Sequence, residues 1–363
     1  MTMGEGQPDR PGEQRTGGSL NPATIERIDS AGMLADVVSQ PLQLEDALWR
    51  TESAGLSSAE TPGGLLVCGM GGSAIGADLA NAVLGDRATR PLHVLRGYDP
   101  PGWLTSEVFV LCSSYSGETE ETLACYDAAR VADAPRAVLT TGGSLADMAR
   151  EDGVPVIGIP SGMQPRAAMI YVMVGVLAVA AASGAAPSIR GEIEQAEPLL
   201  RGLSDEWGPG SGGSLAAEVA RRLHGTVPVV HGAGPTLAPA VRWKTQINEN
   251  AKTAAFSSAL PEANHNEICG WERGRGLAPL SAVFLQNADQ HPRLRRRVEL
   301  TAKLARDAGA ACTLVDAQGE TPFERVLSLV LLGDLVSVYL AVLEGIDPTP
   351  VQPIVAFKAE LDR

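Results

Sequence analysis

The seven residues SSYSGET, from Ser113 to Thr119, carry four hydroxyls, on Ser113, Ser114, Ser116 and Thr119. They follow the apolar run VFVLC and precede an acidic helical pattern, so they sit at the mouth of a strand-to-helix turn. Hydroxyls beside the N–H groups of a helix start suit a phosphate monoester without any Lys or Arg. Ordinary N-capping accounts for one or two such residues, not four. A second concentration of chemistry lies at 231–271. There Arg242, Lys244 and Glu249 ride on a helical pattern, and His265 stands between Asn264 and Asn266 with Glu262 and Glu267 near it. The chain has only five His, so one placed among amides and carboxylates is a candidate for proton transfer. The other four, His93, His224, His231 and His291, show no metal-ligand spacing, and no metal is expected.

A third candidate is the glycine turn GMGGSAIG at 69–76. Small residues let a backbone approach a ligand, and free N–H groups at a helix start bind anions. The turn is not a nucleotide motif. A dinucleotide fingerprint would need glycine where Ala74 stands, and a phosphate-binding loop of the Walker type would need lysine where Ala77 stands. No cofactor is expected.

These turns need a scaffold of alternating strands and helices. LLVC, PLHVL, VFVLCS, RAVLTT and VPVIGI read as strands, with helical patterns between them. The second half repeats the plan. VPVVHGAGPTLAPAV lies on LLVCGMGGSAIGAD, so that Gly69 and Gly71 match Gly232 and Gly234, and AVFLQN and CTLVD follow as strands. The expected fold is α/β, a tandem duplication with parallel sheets sandwiched by helices. Residues 1–22 read as a disordered tail, 23–186 as a first domain with a leading helical stretch that Pro41 interrupts, and 187–363 as a second domain. The polar stretch 190–213 is the expected passage between them. The stretch 166–184 and the helix 322–344 are strongly apolar. The first has no charge between Arg166 and Arg190, yet it is rich in Ala, Gly and Ser, which favours a helix buried between layers over a membrane span.

Charge and cysteine content narrow the partners. A net charge of -14 argues against nucleic-acid or anionic-membrane binding, while leaving room for an anionic small ligand at a helix start. The five cysteines form no CxxC pair, and Cys68, Cys112 and Cys312 lie in apolar runs. Buried reduced thiols and a cytoplasmic protein are expected.

GMGGSAIG followed by SYSGxT resembles the sugar isomerase (SIS) domain family. The runs RWKTQINENAK, LPEANHNEICGW and DPTPV…FK are similar to one branch of it, the bifunctional phosphoglucose/phosphomannose isomerases, over nearly the whole chain beyond its first residues. The resemblance implies two tandem flavodoxin-like SIS domains and a phosphorylated hexose substrate. It implies a cradle of Gly71, Gly72, Ser73, Ser114, Ser116 and Thr119. Glu249 would be the base that moves a proton between C1 and C2, and Arg166 would stabilise the enediolate. His265 would assist ring opening from the neighbouring subunit of a homodimer, and Lys358 would line the ring-opening side. Glu118 stands where the family usually has Asn.

The residues support that chemistry in their own right. Aldose–ketose isomerisation needs a base near the C1 and C2 protons, and a partly buried carboxylate at 249 suits that role. It also needs positive charge facing the developing oxyanion, and a fixed arginine at the start of an apolar segment supplies it. The activity expected is a metal-independent interconversion of fructose 6-phosphate with glucose 6-phosphate and/or mannose 6-phosphate. The alternative is a non-catalytic phosphosugar-binding regulatory protein on the same domains.

Overall fold

The computed structural model describes residues 19–210, 213–274, 276 and 278–361. The expected tail therefore lies largely outside the described residues. Three short helices lead in: α1 (Pro22–Ile28), α2 (Met33–Val38) and α3 (Gln40–Ser53). The helical stretch is interrupted just ahead of Pro41, between α2 and α3, and Pro41 occupies the first turn of α3, where its missing N–H has no partner to lose.

The first sheet is built from β1 (Leu65–Cys68), α4 (Gly71–Leu84), β2 (Leu92–Leu95), β3 (Phe109–Ser113), α5 (Glu120–Val131), β4 (Arg136–Thr140), α6 (Gly143–Glu151) and β5 (Val156–Gly158). Its strand order is β2-β1-β3-β4-β5, and every neighbouring pair is parallel. A 3-10 turn, Pro165–Ala168, then runs into α7 (Met169–Ala182). Arg166 thus stands on that turn and not in the regular helix.

The passage expected at 190–213 is mostly a helix, α8 (Arg190–Trp207), which packs on α3 and on a helix of the second half. Its charged face conceals the helix in the sequence, yet the buried Ile193, Ala196, Leu200, Leu203 and Trp207 fall on one amphipathic stripe. After it come α9 (Leu215–Leu223), β6 (Val227–Gly232), α10 (Leu237–Gln246), a π-helical turn (Ile247–Ala251), β7 (Phe256–Ala259), α11 (Trp271–Gly274), β8 (Leu280–Gln286), α12 (Pro292–Asp307), β9 (Ala311–Asp316), α13 (Pro322–Glu344) and α14 (Gln352–Leu361). The second sheet has the order β7-β6-β8-β9, again parallel throughout.

The two sheets repeat one topology, with β7, β6, β8 and β9 in the places of β2, β1, β3 and β4. The duplication extends to backbone detail. Gly71 and Gly234 follow the first strand of each sheet, and both are left-handed, with φ of +52° and +54°. A β-carbon would strain that conformation, so both copies keep glycine there. The edge strand β7 was not foreseen, because FSSA is short and its two serines break the apolar run.

Strands buried on both faces read as unbroken apolar runs, and β1 and β3 are buried at every position. The apolar helices lie between the layers. Pro165–Ala182 and Pro322–Glu344 are each long and apolar enough to cross a membrane, yet 78% of the residues of the first and all of an 18-residue stretch of the second are buried within the fold. Cys68, Cys112 and Cys125 are buried free thiols, whereas Cys312 is only half-buried and Cys269 is exposed.

Candidate active site

In an open parallel sheet ligands bind beyond the carboxyl ends of the strands, where the strand order reverses. For the order β2-β1-β3-β4-β5 that point lies between β1 and β3. The glycine turn with Gly71, Gly72 and Ser73 follows β1 and the hydroxyl turn with Ser114, Ser116 and Thr119 follows β3, so the two turns begin side by side there, a β-carbon on Gly69 lying 2.9 Å from the Ser113 carbonyl oxygen.

The start of α4 has no side-chain cap and no acidic residue in its first turn, so its positive end is left for an anion. Opposite it, Ser114 Oγ lies 2.8 Å from Thr119 Oγ1 and accepts the Gly117 N–H at 3.1 Å. Ser116 Oγ accepts the Glu118 N–H at 3.2 Å. These bonds fold the loop so that the hydroxyls lie on one turn. The Glu118 carboxylate is directed away to the start of α6, where Ser144 N and Ser144 Oγ donate to its two oxygens at 2.7 and 2.8 Å. Those two hydrogen bonds hold its pKa below the ordinary glutamate value.

The glycine turn also touches the Arg166 turn. A β-carbon on Gly72 would lie 3.2 Å from the Pro165 carbonyl oxygen and 3.6 Å from Arg166 Cα, so α4 begins directly against that segment. Arg166 is buried, and each of its nitrogens is engaged. Nε donates to Asn250 Oδ1 at 2.7 Å, and Nη2 donates to the carbonyls of Pro348 and Thr349, both at 2.9 Å. Nη1 donates to Gln164 Oε1 at 3.3 Å and lies 3.6 Å from Glu249 Oε2. Burial lowers its pKa, the Arg242 charge acts in the same direction, and Glu249 opposes them.

Glu249 comes from the π-helical turn that ends α10. The extra residue per turn re-aims side chains at this point, and such turns recur at functional sites. Lys252 ends the turn in a left-handed conformation at φ +52°, uncommon for a residue with a β-carbon. Its Nζ donates to the carbonyls of Asn250, Asp347 and Pro348 at 3.2, 2.9 and 2.8 Å. Burial and the Arg166 charge lower its pKa. Arg166 and Lys252 therefore share the Pro348 carbonyl. Lys252 and Asn250 were not singled out from the sequence, although the run Asn248-Glu249-Asn250-Ala251-Lys252 contains both.

Two predicted residues stand apart. His265 ends a 3-10 turn, Glu262–His265, and is exposed, with no hydrogen bond or ion pair among the described residues. Its neighbour Asn264 is anchored, donating to Thr301 Oγ1 at 2.7 Å and accepting from Arg297 at 3.4 Å. Lys358 is exposed on α14, a helix with no buried residue. The chain therefore gathers the hydroxyl and glycine turns, Arg166 and Glu249, but does not bring His265 or Lys358 into bonding contact with them.

Two tandem parallel sheets, with a hydroxyl-lined turn at the switch point of the first, define the SIS class of α/β fold. The likeness extends to solved structures. A hypothetical protein of Thermus thermophilus superposes with a TM-score of 0.74 at 17% identity, covering 94% of this chain and 93% of that one. The C-terminal domain of glucosamine-fructose-6-phosphate aminotransferase from Francisella tularensis superposes with a TM-score of 0.64 at 12% identity, covering 87% of this chain and 96% of that one. A family described as the bacterial phospho-glucose isomerase C-terminal SIS domain matches residues 213–361. The chain is 35% identical to a bifunctional phosphoglucose/phosphomannose isomerase of Caldicellulosiruptor bescii, over 91% of its own length and 98% of that protein. It is 34% identical to a protein of the same name from Aquifex aeolicus, over 83% of this chain and 91% of that one. The chain belongs to the bifunctional phosphoglucose/phosphomannose isomerase family.

Proposed function

We propose that the chain is a cytoplasmic, metal-independent isomerase of two domains, 23–186 and 187–363. It interconverts fructose 6-phosphate with glucose 6-phosphate and mannose 6-phosphate. The relatives' names supply the substrate class, a phosphorylated sugar. The observation that carries the reading is the Arg166–Glu249 pair, a buried cation 3.6 Å from a partly accessible carboxylate, beside a turn suited to phosphate.

The substrate phosphate sits against the start of α4 and the hydroxyls of Ser114, Ser116 and Thr119. Glu249 removes the proton from C2 of the open-chain aldose, and the electron pair moves through C1 to the carbonyl oxygen, giving an enediolate. Arg166 faces the developing negative charge, where a buried cation held in place by its hydrogen bonds stabilises it without reorganisation. The hydroxyl proton on O2 then passes to O1, Glu249 returns its proton to C1 as the O2 electron pair forms the new carbonyl at C2, and fructose 6-phosphate results. On the reverse course, rotation about the C2–C3 bond lets the enediolate present either face of C2 to Glu249, so one base serves both epimers. Each carbon-bound proton in these steps moves between the substrate and Glu249.

Ring opening is assigned to His265 and Lys358. Neither reaches the pair within one chain, which supports a homodimer in which His265 serves the neighbouring subunit's site. The test is a coupled assay with glucose, mannose and glucosamine 6-phosphates in excess chelator. Turnover of the first two is expected. Binding of a hexose phosphate without turnover would replace the enzyme reading by a regulatory one.

A further inference from the structure

Two residues one helical turn apart on α13 reach Arg166 through separate intermediaries. Asp334 is buried in a helix that is apolar on every side. Its Oδ1 accepts from Arg242 Nε at 2.9 Å and Gln246 Nε2 at 3.1 Å, and its Oδ2 from Arg242 Nη2 at 2.8 Å and Gln40 Nε2 at 2.7 Å. Arg242 Nη2 also donates to the backbone carbonyl of Arg166 at 2.9 Å. The second path starts at Ser337, whose Oγ donates to the Asp334 carbonyl at 2.7 Å and accepts from Asn250 Nδ2 at 2.8 Å. Asn250 Oδ1 in turn accepts from Arg166 Nε at 2.7 Å. One path grips the backbone of Arg166 and the other its guanidinium. The second path also passes through the residue next to Glu249.

We propose that Asp334 and Ser337 are positioning residues that hold the Arg166–Glu249 pair in register, with α13 as a clamp spanning the two halves of the chain. A buried ion pair stabilises a fold little or not at all compared with apolar side chains of similar volume. Asp334 sits among the leucines and valines of α13, where an apolar residue would pack without desolvating a charge. What the carboxylate adds is direction. It fixes Arg242, which presents a donor to Arg166, and it draws Gln40 of α3 and Gln246 of α10 to the same point. Small displacements of reacting groups reduce turnover steeply, so a residue that touches no substrate can still set the rate. The proposal rests on the reading of Arg166 and Glu249 as the reacting pair.

Two variants test it. Ser337→Ala breaks the guanidinium path with little change in volume. The double substitution Asp334→Leu/Arg242→Met removes the backbone path together with both charges, which avoids leaving one charge unpaired in the core. The expected outcome is a fall in kcat of about tenfold to a hundredfold with KM changed by less than about threefold, and a thermal midpoint of the double variant close to the parent's. Phenylglyoxal modification of Arg166, followed by peptide mass mapping, supplies a readout that needs no turnover. Arg166 is expected to be protected in the parent and modified at least about tenfold faster in the variants. Parental protection of Arg166 in both variants overturns the clamp, as does parental kcat in both. If the double variant does not fold, Ser337→Ala decides. Absence of turnover in the parent would overturn the isomerase reading alone, and the modification rate would then decide the clamp.

Discussion

The Arg166 guanidinium stands 3.6 Å from the Glu249 carboxylate, with the arginine side chain 5% exposed and the glutamate 32%. The two come from different halves of the chain, one from the turn before α7 and the other from the turn that ends α10. The asymmetry suits a division of labour. A shielded cation keeps its field strong, and a partly open carboxylate can reach a substrate carbon.

Substituting the carboxylate separates binding from proton transfer. Glu249→Gln is expected to lower kcat by about a hundredfold to ten-thousandfold while leaving hexose phosphate affinity near the parent's. Solvent deuterium incorporation at C2, followed by NMR, and calorimetric titration of fructose 6-phosphate check the two halves. Parental exchange in the variant would remove Glu249 from the mechanism.

Glu118 is turned toward Ser144 and away from the proposed phosphate cradle. Glu118→Gln is therefore expected to leave KM for the sugar phosphate within about twofold, since a carboxylate facing elsewhere adds little repulsion. Its folded pKa lies below the ordinary glutamate value, so it favours the folded state above that value and loses this contribution as pH falls through the folded pKa. The variant should thus lose a little thermal stability at neutral pH. A tenfold fall in KM would mean that the carboxylate does face the phosphate.

Subunit mixing tests where His265 acts. If it serves the neighbouring site, His265→Ala and Glu249→Gln homodimers are each nearly inactive. In a heterodimer of the two, one of the two sites has both groups intact. Random exchange of equal amounts should restore about a quarter of the parental activity. Activity no greater than the sum of the separate variants would place His265 on its own chain's site, or on none.

His231 is expected to lower stability in acid. It is buried on β6, stacked 4.5 Å from the Phe284 ring, with no hydrogen-bond partner on either ring nitrogen among the described residues. Burial lowers its pKa to about 4 from the ordinary 6.5. The unfolded chain therefore takes up this proton first as pH falls. Its contribution is fully present above pH 6.5 and is lost progressively between 6.5 and 4, by a total on the order of 3 kcal/mol. His231→Phe should flatten that part of the profile when urea unfolding is compared at pH 7 and pH 4.5. An unchanged slope would assign the acid sensitivity to other groups.

What the sequence settles here is local. Unbroken apolar runs specify buried parallel strands, and the glycine and hydroxyl residues after the first and third strands specify strand-to-helix turns. The recurrence of strand and Gly-x-Gly specifies a second copy of the unit, and the two left-handed glycines bear that out. Each of these signals lies within a dozen or so neighbouring residues, where periodicity and turn chemistry act. Weaker local signals do not identify their elements. The stripe of α8 was hidden by its charges, and β7 by its serines.

The tertiary structure decides which distant residues meet. Arg166 and Glu249 carry no mark in the sequence that pairs them. They meet where α13 crosses between the halves: Asp334 holds Arg242, which donates to the Arg166 carbonyl, and Ser337 accepts from Asn250, which joins the Arg166 guanidinium beside Glu249. Nothing in the sequence separates Lys252 from a surface lysine, but its ammonium is taken up by the carbonyls of Asn250, Asp347 and Pro348. Glu118 looked like a charge beside the phosphate, and the folded chain turns it to cap α6. The physical reason is common to all three. A polar group takes its partners from whatever the packed fold brings within about 3 Å, and that depends on how whole elements dock.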